Sequence, residues 1–164
     1  MDNNDQRALM GAFQKGITSG VYIITVKAKD KKNGMTASWI SKVSQEPPMV
    51  MVSIGLAKYT GYLIKEAGCF AINTLAHGQQ ELGKHFGFVS GITVDKLKDI
   101  PSFEGKRGIP ILKQAFSFLI CECVDSITAG DHMIFIGKVV EGGIINPGLI
   151  PLVFSRDDFF PGNK

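Results

Sequence analysis

Three β-type runs crowd into the first third of the chain, joined by turns too short to hold a crossover helix. Val21-Tyr-Ile-Ile-Thr-Val26 is largely β-branched, Met35 to Val43 returns it, and Met49 to Ile54 follows a Glu46-Pro47-Pro48 corner. Parallel strands need a connection of a dozen or more residues, so these runs must pair antiparallel. Asn33-Gly34, at the end of the Asp30 to Gly34 loop, is expected to close the first hairpin. Phe70 to Leu75, Phe116 to Val124, His132 to Val140 and Leu152 to Phe154 bring the expected strands to about seven. The helices are short. One amphipathic helix is expected over residues 5 to 15, a second from Thr60 as N-cap to Glu66 with Gly68 as its stop, and a third from Gln79 to Phe86. Residues 87 to 108, punctuated by glycine and proline, read as a long loop. The pattern is that of an antiparallel barrel or sandwich decorated with helices. No Gly-x-Gly-x-x-Gly follows a strand, which argues against a parallel nucleotide-binding sheet.

The 164 residues are read as one domain, a length at which folding buries roughly 70% of the unfolded chain's surface. No apolar run approaches the ~20 residues needed to span a bilayer, and the acidic, amide-rich N-terminus is unlike a secretory signal. A cytoplasmic protein is therefore expected, without a membrane partner. Cys69, Cys121 and Cys123 are an odd number, and the last two fall on one face of a strand, so they are read as buried thiols in a reducing compartment. A net charge of +3 is too small to argue for nucleic acid. The Lys27, Lys29, Lys31, Lys32 cluster is read as a solvated hairpin edge.

Several residues could carry chemistry. Thr36, Ala37 and Ser38 put small side chains where a strand usually carries bulk, leaving backbone groups within reach of a flat polar ligand. Lys58-Tyr59-Thr60 places a cation and a hydroxyl at the start of a helix, the arrangement that suits a phosphate monoester, although a capped helix beside a lysine has the same sequence. His132 opens a strand after Gly130-Asp131, either as a turn-capping histidine or as a group that hydrogen-bonds a ligand amide. Position alone leaves Trp39 open between a ligand ring and the core. No histidine pair has metal-ligand spacing, and no nucleophile elbow or Cys/His constellation is present.

Five motifs in order give more. Asn33-Gly-Met-Thr-Ala-Ser-Trp, Glu46-Pro-Pro-Met-Val-Met-Val-Ser-Ile, Lys58-Tyr-Thr with Leu63-Ile-Lys-Glu, Phe70-Ala-Ile-Asn, and Gly130-Asp-His-x-x-Phe-Ile-Gly together resemble the flavin-reductase-like family of FMN-binding split barrels. Ser90-Gly91 with Asp95-Lys96 resembles the loop of its flavoredoxin-like branch. The likeness runs from about Thr18 to Phe154.

That resemblance implies an antiparallel split β-barrel, homodimeric, with FMN near the subunit interface. Met35, Thr36, Ala37, Ser38 and Trp39 would then line the polar edge of the isoalloxazine, and Ser53, Ile54 and Gly55 the ribityl side. Lys58 and Thr60, with Tyr59 between them, would hold the phosphate. Phe86, Gly87, Ser90 and Gly91 would flank the ring, with Lys96 in the loop beyond. His132 would meet the nicotinamide of NADH or NADPH. Two positions depart from the family pattern: Ala57 stands where many relatives have a hydroxyl, and Trp39 where many have serine. The expected activity is electron transfer from NAD(P)H to flavin and on to an acceptor. The alternatives are a tightly loaded FMN carrier serving a redox protein partner and a barrel for a small non-flavin ligand.

Overall fold

The structure, a computed structural model, describes residues 2–161. After helix α1 (Asn3–Lys15) come strands β1 (Tyr22–Ala28), β2 (Lys31–Ala37), β3 (Ile40–Ser44) and β4 (Met49–Gly55). Helix α2 (Tyr59–Ala67), strand β5 (Cys69–Thr74) and helix α3 (Gln80–Phe88) follow. A small ribbon, β6 (Ser102–Glu104) and β7 (Pro110–Leu112), precedes the long hairpin β8 (Ser117–Ala129) and β9 (His132–Ile144), and α4 (Arg156–Phe159) ends the described chain.

Seven strands form one antiparallel sheet in the order β2-β1-β5-β8-β9-β4-β3. β2 and β3 lie at opposite ends of that order yet are consecutive in the chain, so Ser38 and Trp39 carry the backbone from one sheet edge to the other. The sheet must curl for two residues to span its edges. At the seam the Ser53 N–H donates to Trp39 O at 2.9 Å. The result is a barrel whose wall stays open beside β2.

The expected single strand from Met35 to Val43 is therefore two strands. Ala37 pairs with Tyr22 in β1 while Ile40 pairs with Val52 in β4, and one straight strand cannot serve both ends of the sheet. The first hairpin also turns elsewhere. Lys29 and Asp30 form its loop, with Lys29 at a φ of 52°, and Asn33 and Gly34 lie within the ladder opposite Val26 and Thr25. Gly34 is needed for space: a Cβ there would lie 2.8 Å from Phe86 Cε1, so its absence lets α3 settle against β2.

Strand alternation sorts the core from the open side. Val50, Val52 and Ile54 of β4 point inward, where they meet Ile24, Val26, Leu63, Ile64, Phe70 and Phe135, while Ser53 and Gly55 point outward. β1 is covered on both faces, its other side packing Val21 and Ile23 against Phe86 and Phe159. That double burial explains its unbroken apolar run. Buried Asn73 ties the layers together, donating to Ile23 O and accepting from Leu112 N–H at 2.9 Å. Cys69, Cys121 and Cys123 are free thiols, and burial pushes Cys121 up to about 12.

Gly68 ends α2 as expected, at a φ of 66° with its N–H on Ile64 O. Thr60 is not the N-cap. Lys58 holds that position, and Thr60 is buried in the first turn. Residues 87–108 include the β6 strand and turns. β8 and β9 run 13 residues each, with register shifts between Ile120 and Cys121 and between Cys123 and Asp125 where bulges bend the hairpin. Val153 makes only an isolated bridge to Gly20, so residues 152–154 are not a ladder strand. No helix among the described residues is long and apolar enough to cross a membrane.

Replacing Gly34 by alanine should destabilise the fold by about 1–3 kcal/mol, because Phe86 or the α3 backbone must move to admit one methyl group. Urea unfolding should show a lower midpoint at unchanged slope; an unchanged midpoint would mean that α3 does not rest on Gly34.

Candidate functional site

The open seam of the barrel holds two adjoining cavities. The larger, about 570 Å³, has Met35 to Trp39 along one wall, Ser53 and Gly55 of β4 opposite, and Asp131 and His132 of the β8–β9 tip at the far side. The smaller, about 280 Å³, shares Met35, Thr36, Ala57 and Lys58 with the first and continues past Tyr59 and Thr60 to Phe86, Gly87, Ser90, Gly91 and Lys96. One elongated cleft results, with a flat compartment at one end and a cationic one at the other.

The flat compartment follows from β2 being an edge strand. No strand pairs with its outer side, so backbone groups of Met35 to Ala37 are available there. The Thr36 hydroxyl donates to Gly83 O in α3, which leaves the lone pairs of Thr36 Oγ1, and not its hydrogen, for a ligand. Gly55 keeps the opposite wall low: a Cβ there would lie 3.6 Å from Lys58 Cγ and 3.9 Å from His132 Nε2. Ile54 does not line either cavity. It is 1% exposed because strand alternation turns it into the barrel core, and only its backbone remains near the cleft.

His132 is oriented by two neighbours. Its Nδ1–H donates to Asp131 Oδ1 at 2.6 Å, and Trp39 stacks on the imidazole at 4.6 Å between ring centroids, 30° from parallel. The bond to His132 holds the Asp131 carboxyl below the usual carboxylate range. With Nδ1 so engaged, Nε2 is the nitrogen left facing the compartment near Gly55. Trp39 is 46% exposed and so is not core; Phe13 of α1 meets it edge-on at 6.0 Å.

The cationic compartment concentrates positive charge. Lys58 is exposed at the N-cap of α2, where the positive end of the helix and the free amides of the first turn add to its charge. Lys96 is only 5% exposed, and its Nζ donates to Phe86 O at 3.0 Å. Burial, and then the Lys58 charge, pull its ammonium down to about 8. Among the described residues no carboxylate pairs with either lysine. A buried ammonium facing a second cation calls for an anion between them. The side chains therefore fit a ligand with a planar polar ring and a phosphate end, and the chemistry of an FMN-sized molecule matches both compartments.

The cleft is also lined by residues that the sequence reading does not assign to the site, among them Leu56, Asp131 and Asn33, with Phe88, Val89 and Ile92 beside Gly91. Leu56 follows β4 and lines the flat compartment, and Asp131 lies behind His132. Asn33, 4% exposed, sits beneath the cationic compartment. Asn33-Gly34 reads as a turn in sequence, and the signal that places Asn33 in the site is a polar side chain two positions before Met35 on the same strand face.

The flavin reductase like domain family matches residues 13–163. An NADH-dependent flavin reductase of a Rhodococcus species is 34% identical over 135 residues, covering 82% of this chain and 73% of that protein. A solved NADH:FAD oxidoreductase of Streptomyces globisporus is similar in structure, with a TM-score of 0.84 at 28% identity over 94% of this chain and 92% of that one. So is flavoredoxin from Methanosarcina acetivorans, with a TM-score of 0.78 at 26% identity, covering 86% of this chain and 82% of that one. The chain spans 49% and 58% of two further curated relatives. With the family match extending over most of the sequence and the fold shared along most of its length, the chain belongs to the flavin reductase like domain family.

Proposed function

We propose that the chain, as a single flavin-reductase-like unit, binds FMN in the seam cleft and moves electrons from NADH or NADPH through it to an acceptor. The observation that carries this reading is the pair Lys58 and Lys96, without a carboxylate partner among the described residues, at one end of a backbone-lined flat compartment. Bound FMN would supply the ring that accepts hydride and releases electrons singly or in pairs. Lys58, the Thr60 hydroxyl and the first-turn amides of α2 hold the phosphate, with Lys96 closing the far side. The outer edge of β2 orients the polar rim of the ring. His132 Nε2, fixed by Asp131, offers the donor's carboxamide a hydrogen-bonding partner at the open face. Ala57 provides no hydroxyl, so the phosphate rests on the other groups named.

The Rhodococcus and Streptomyces relatives, both named for reaction with NADH, support the enzyme reading. The flavoredoxin likeness supports a carrier that passes electrons to a redox protein partner, and Trp39 favours it by covering one face of His132. Anaerobic NADH or NADPH added to the FMN-loaded protein should bleach the flavin's visible absorbance within the mixing and recording time of a stopped-flow experiment. The His132→Ala variant should bleach more slowly. Failure of both donors to bleach the wild type would leave the carrier reading in its place.

The second unit of a homodimer has a surface to occupy. α1 buries none of its residues and leaves Leu9, Met10 and Phe13 exposed, the last edge-on to Trp39, and the outer half of β8 shows Val124 and Ile127 beyond its pairing with β5. Sedimentation equilibrium at micromolar concentration should give twice the monomer mass, and a monomer mass would refute the pairing. Free thiols and a nicotinamide donor fit a cytoplasmic setting.

A further inference from the structure

The cationic compartment rests on Asn33, a residue with no place in the flavin contacts proposed above. Asn33 lies in the middle of β2, paired with Val26, and is almost wholly buried. Its Nδ2 donates to Thr60 Oγ1 at 3.0 Å, and its carboxamide oxygen packs against Gly91, where a side chain would collide with it. Thr60 is 2% exposed. A hydroxyl has one hydrogen and two lone pairs. Because Asn33 fills a lone pair, the Thr60 hydrogen must find its acceptor elsewhere, and among the described residues no protein atom accepts it. A buried donor with no partner is costly, so an acceptor in the compartment is strongly favoured.

We infer that Asn33 is a positioning residue: it fixes the Thr60 hydroxyl as a donor aimed at the phosphate of the ligand. This rests on the reading of the cationic compartment as the phosphate end of the FMN site. Asn33 itself does not touch the ligand in this scheme. It decides which way a neighbouring hydroxyl can point, and its oxygen keeps the Gly91 segment, with Lys96 further along it, seated over the same spot.

Asn33→Asp is close to isosteric and reverses the bond. The carboxylate can only accept, so it takes the Thr60 hydrogen away from the phosphate. The test compares FMN with riboflavin, which lacks the phosphate, by quenching of flavin fluorescence in wild type, Lys58→Ala, Asn33→Asp, Thr60→Val and the Asn33→Asp/Thr60→Val double variant. Wild type should prefer FMN, and Lys58→Ala should lose much of that preference; if it keeps all of it, the phosphate reading falls and the inference with it. Given that loss, Asn33→Asp should weaken FMN about tenfold or more while riboflavin changes less than about twofold. On the Thr60→Val background the same substitution should cost markedly less, because the hydroxyl it acts through is gone. Equal weakening of both flavins would show a merely structural role. Strictly additive losses would show simple charge repulsion. Either outcome overturns the inference. If the aspartate variant fails to fold, Asn33→Leu replaces it in the same cycle, with coupling to Thr60→Val again required and additivity again fatal.

Discussion

The hydrogen bond from Ser53 N–H to Trp39 O is small, but the site depends on it. It fastens the chain to β4 two residues after β2 has finished pairing with β1 at the other end of the sheet. A seven-stranded sheet meeting this condition must curl until its edges are neighbours, and it cannot close fully because Ser38 and Trp39 are crossing between partners. The opening left beside β2 is the cleft. Its floor, its unpaired backbone edge and its proximity to the β8–β9 tip all follow from one short crossing. The crossing also delivers Trp39 to His132, so the bulkiest residue near the cleft is placed by the same constraint.

Charge defines the other end. An α-helix begins where β4 leaves the seam, and Lys58 at its N-cap adds a full charge to the partial charge of the helix terminus. Lys96 arrives from a segment 38 positions later in the chain and is buried beside it. Burial of Lys96, and then the neighbouring Lys58 charge, lower its affinity for its proton, and both costs fall when an anion is present. The compartment is therefore arranged for an anion that the described residues do not supply. A flat neutral compartment leading into an anion-seeking one describes a phosphorylated ring compound, which is why family membership and geometry point to the same chemistry.

Much of the architecture was legible because it depends on local patterns. The β-branched run of β1, the short connections and the Gly68 stop are near-neighbour signals, and they read correctly. The resemblance carried by five ordered motifs led to the family and to the split-barrel fold. What misled were signals whose outcome is settled far away. Asn33-Gly34 has hairpin composition, yet β1 extends to Ala28 and pairs straight past it. Met35 to Val43 alternates like one strand, and only the distant pairing of Ser53 with Trp39 divides it. Thr60 has the composition of a cap, yet it lies two residues past the Lys58 N-cap, buried against Asn33 in the first turn. Ile54 sits between Ser53 and Gly55 in the motif but faces the core, a consequence of strand alternation that was available in the sequence and outweighed by the motif. Lys96 gave no local sign of burial, since Asp95, Lys98 and Asp99 around it read as a solvated loop.

The central claim is that the seam between β2 and β4 is the flavin bed, with the ring at the Trp39 end and the phosphate at the Thr60 end. Backbone amide spectra of the isotope-labelled protein, recorded while FMN is added, test this directly. The account predicts that the largest shifts fall on Thr36 to Trp39, Gly55, Tyr59, Thr60 and Gly91, and that riboflavin reproduces the first group without the last three. Shifts confined to the neighbouring groove around Lys31 and Ser102 to Glu104 would contradict it.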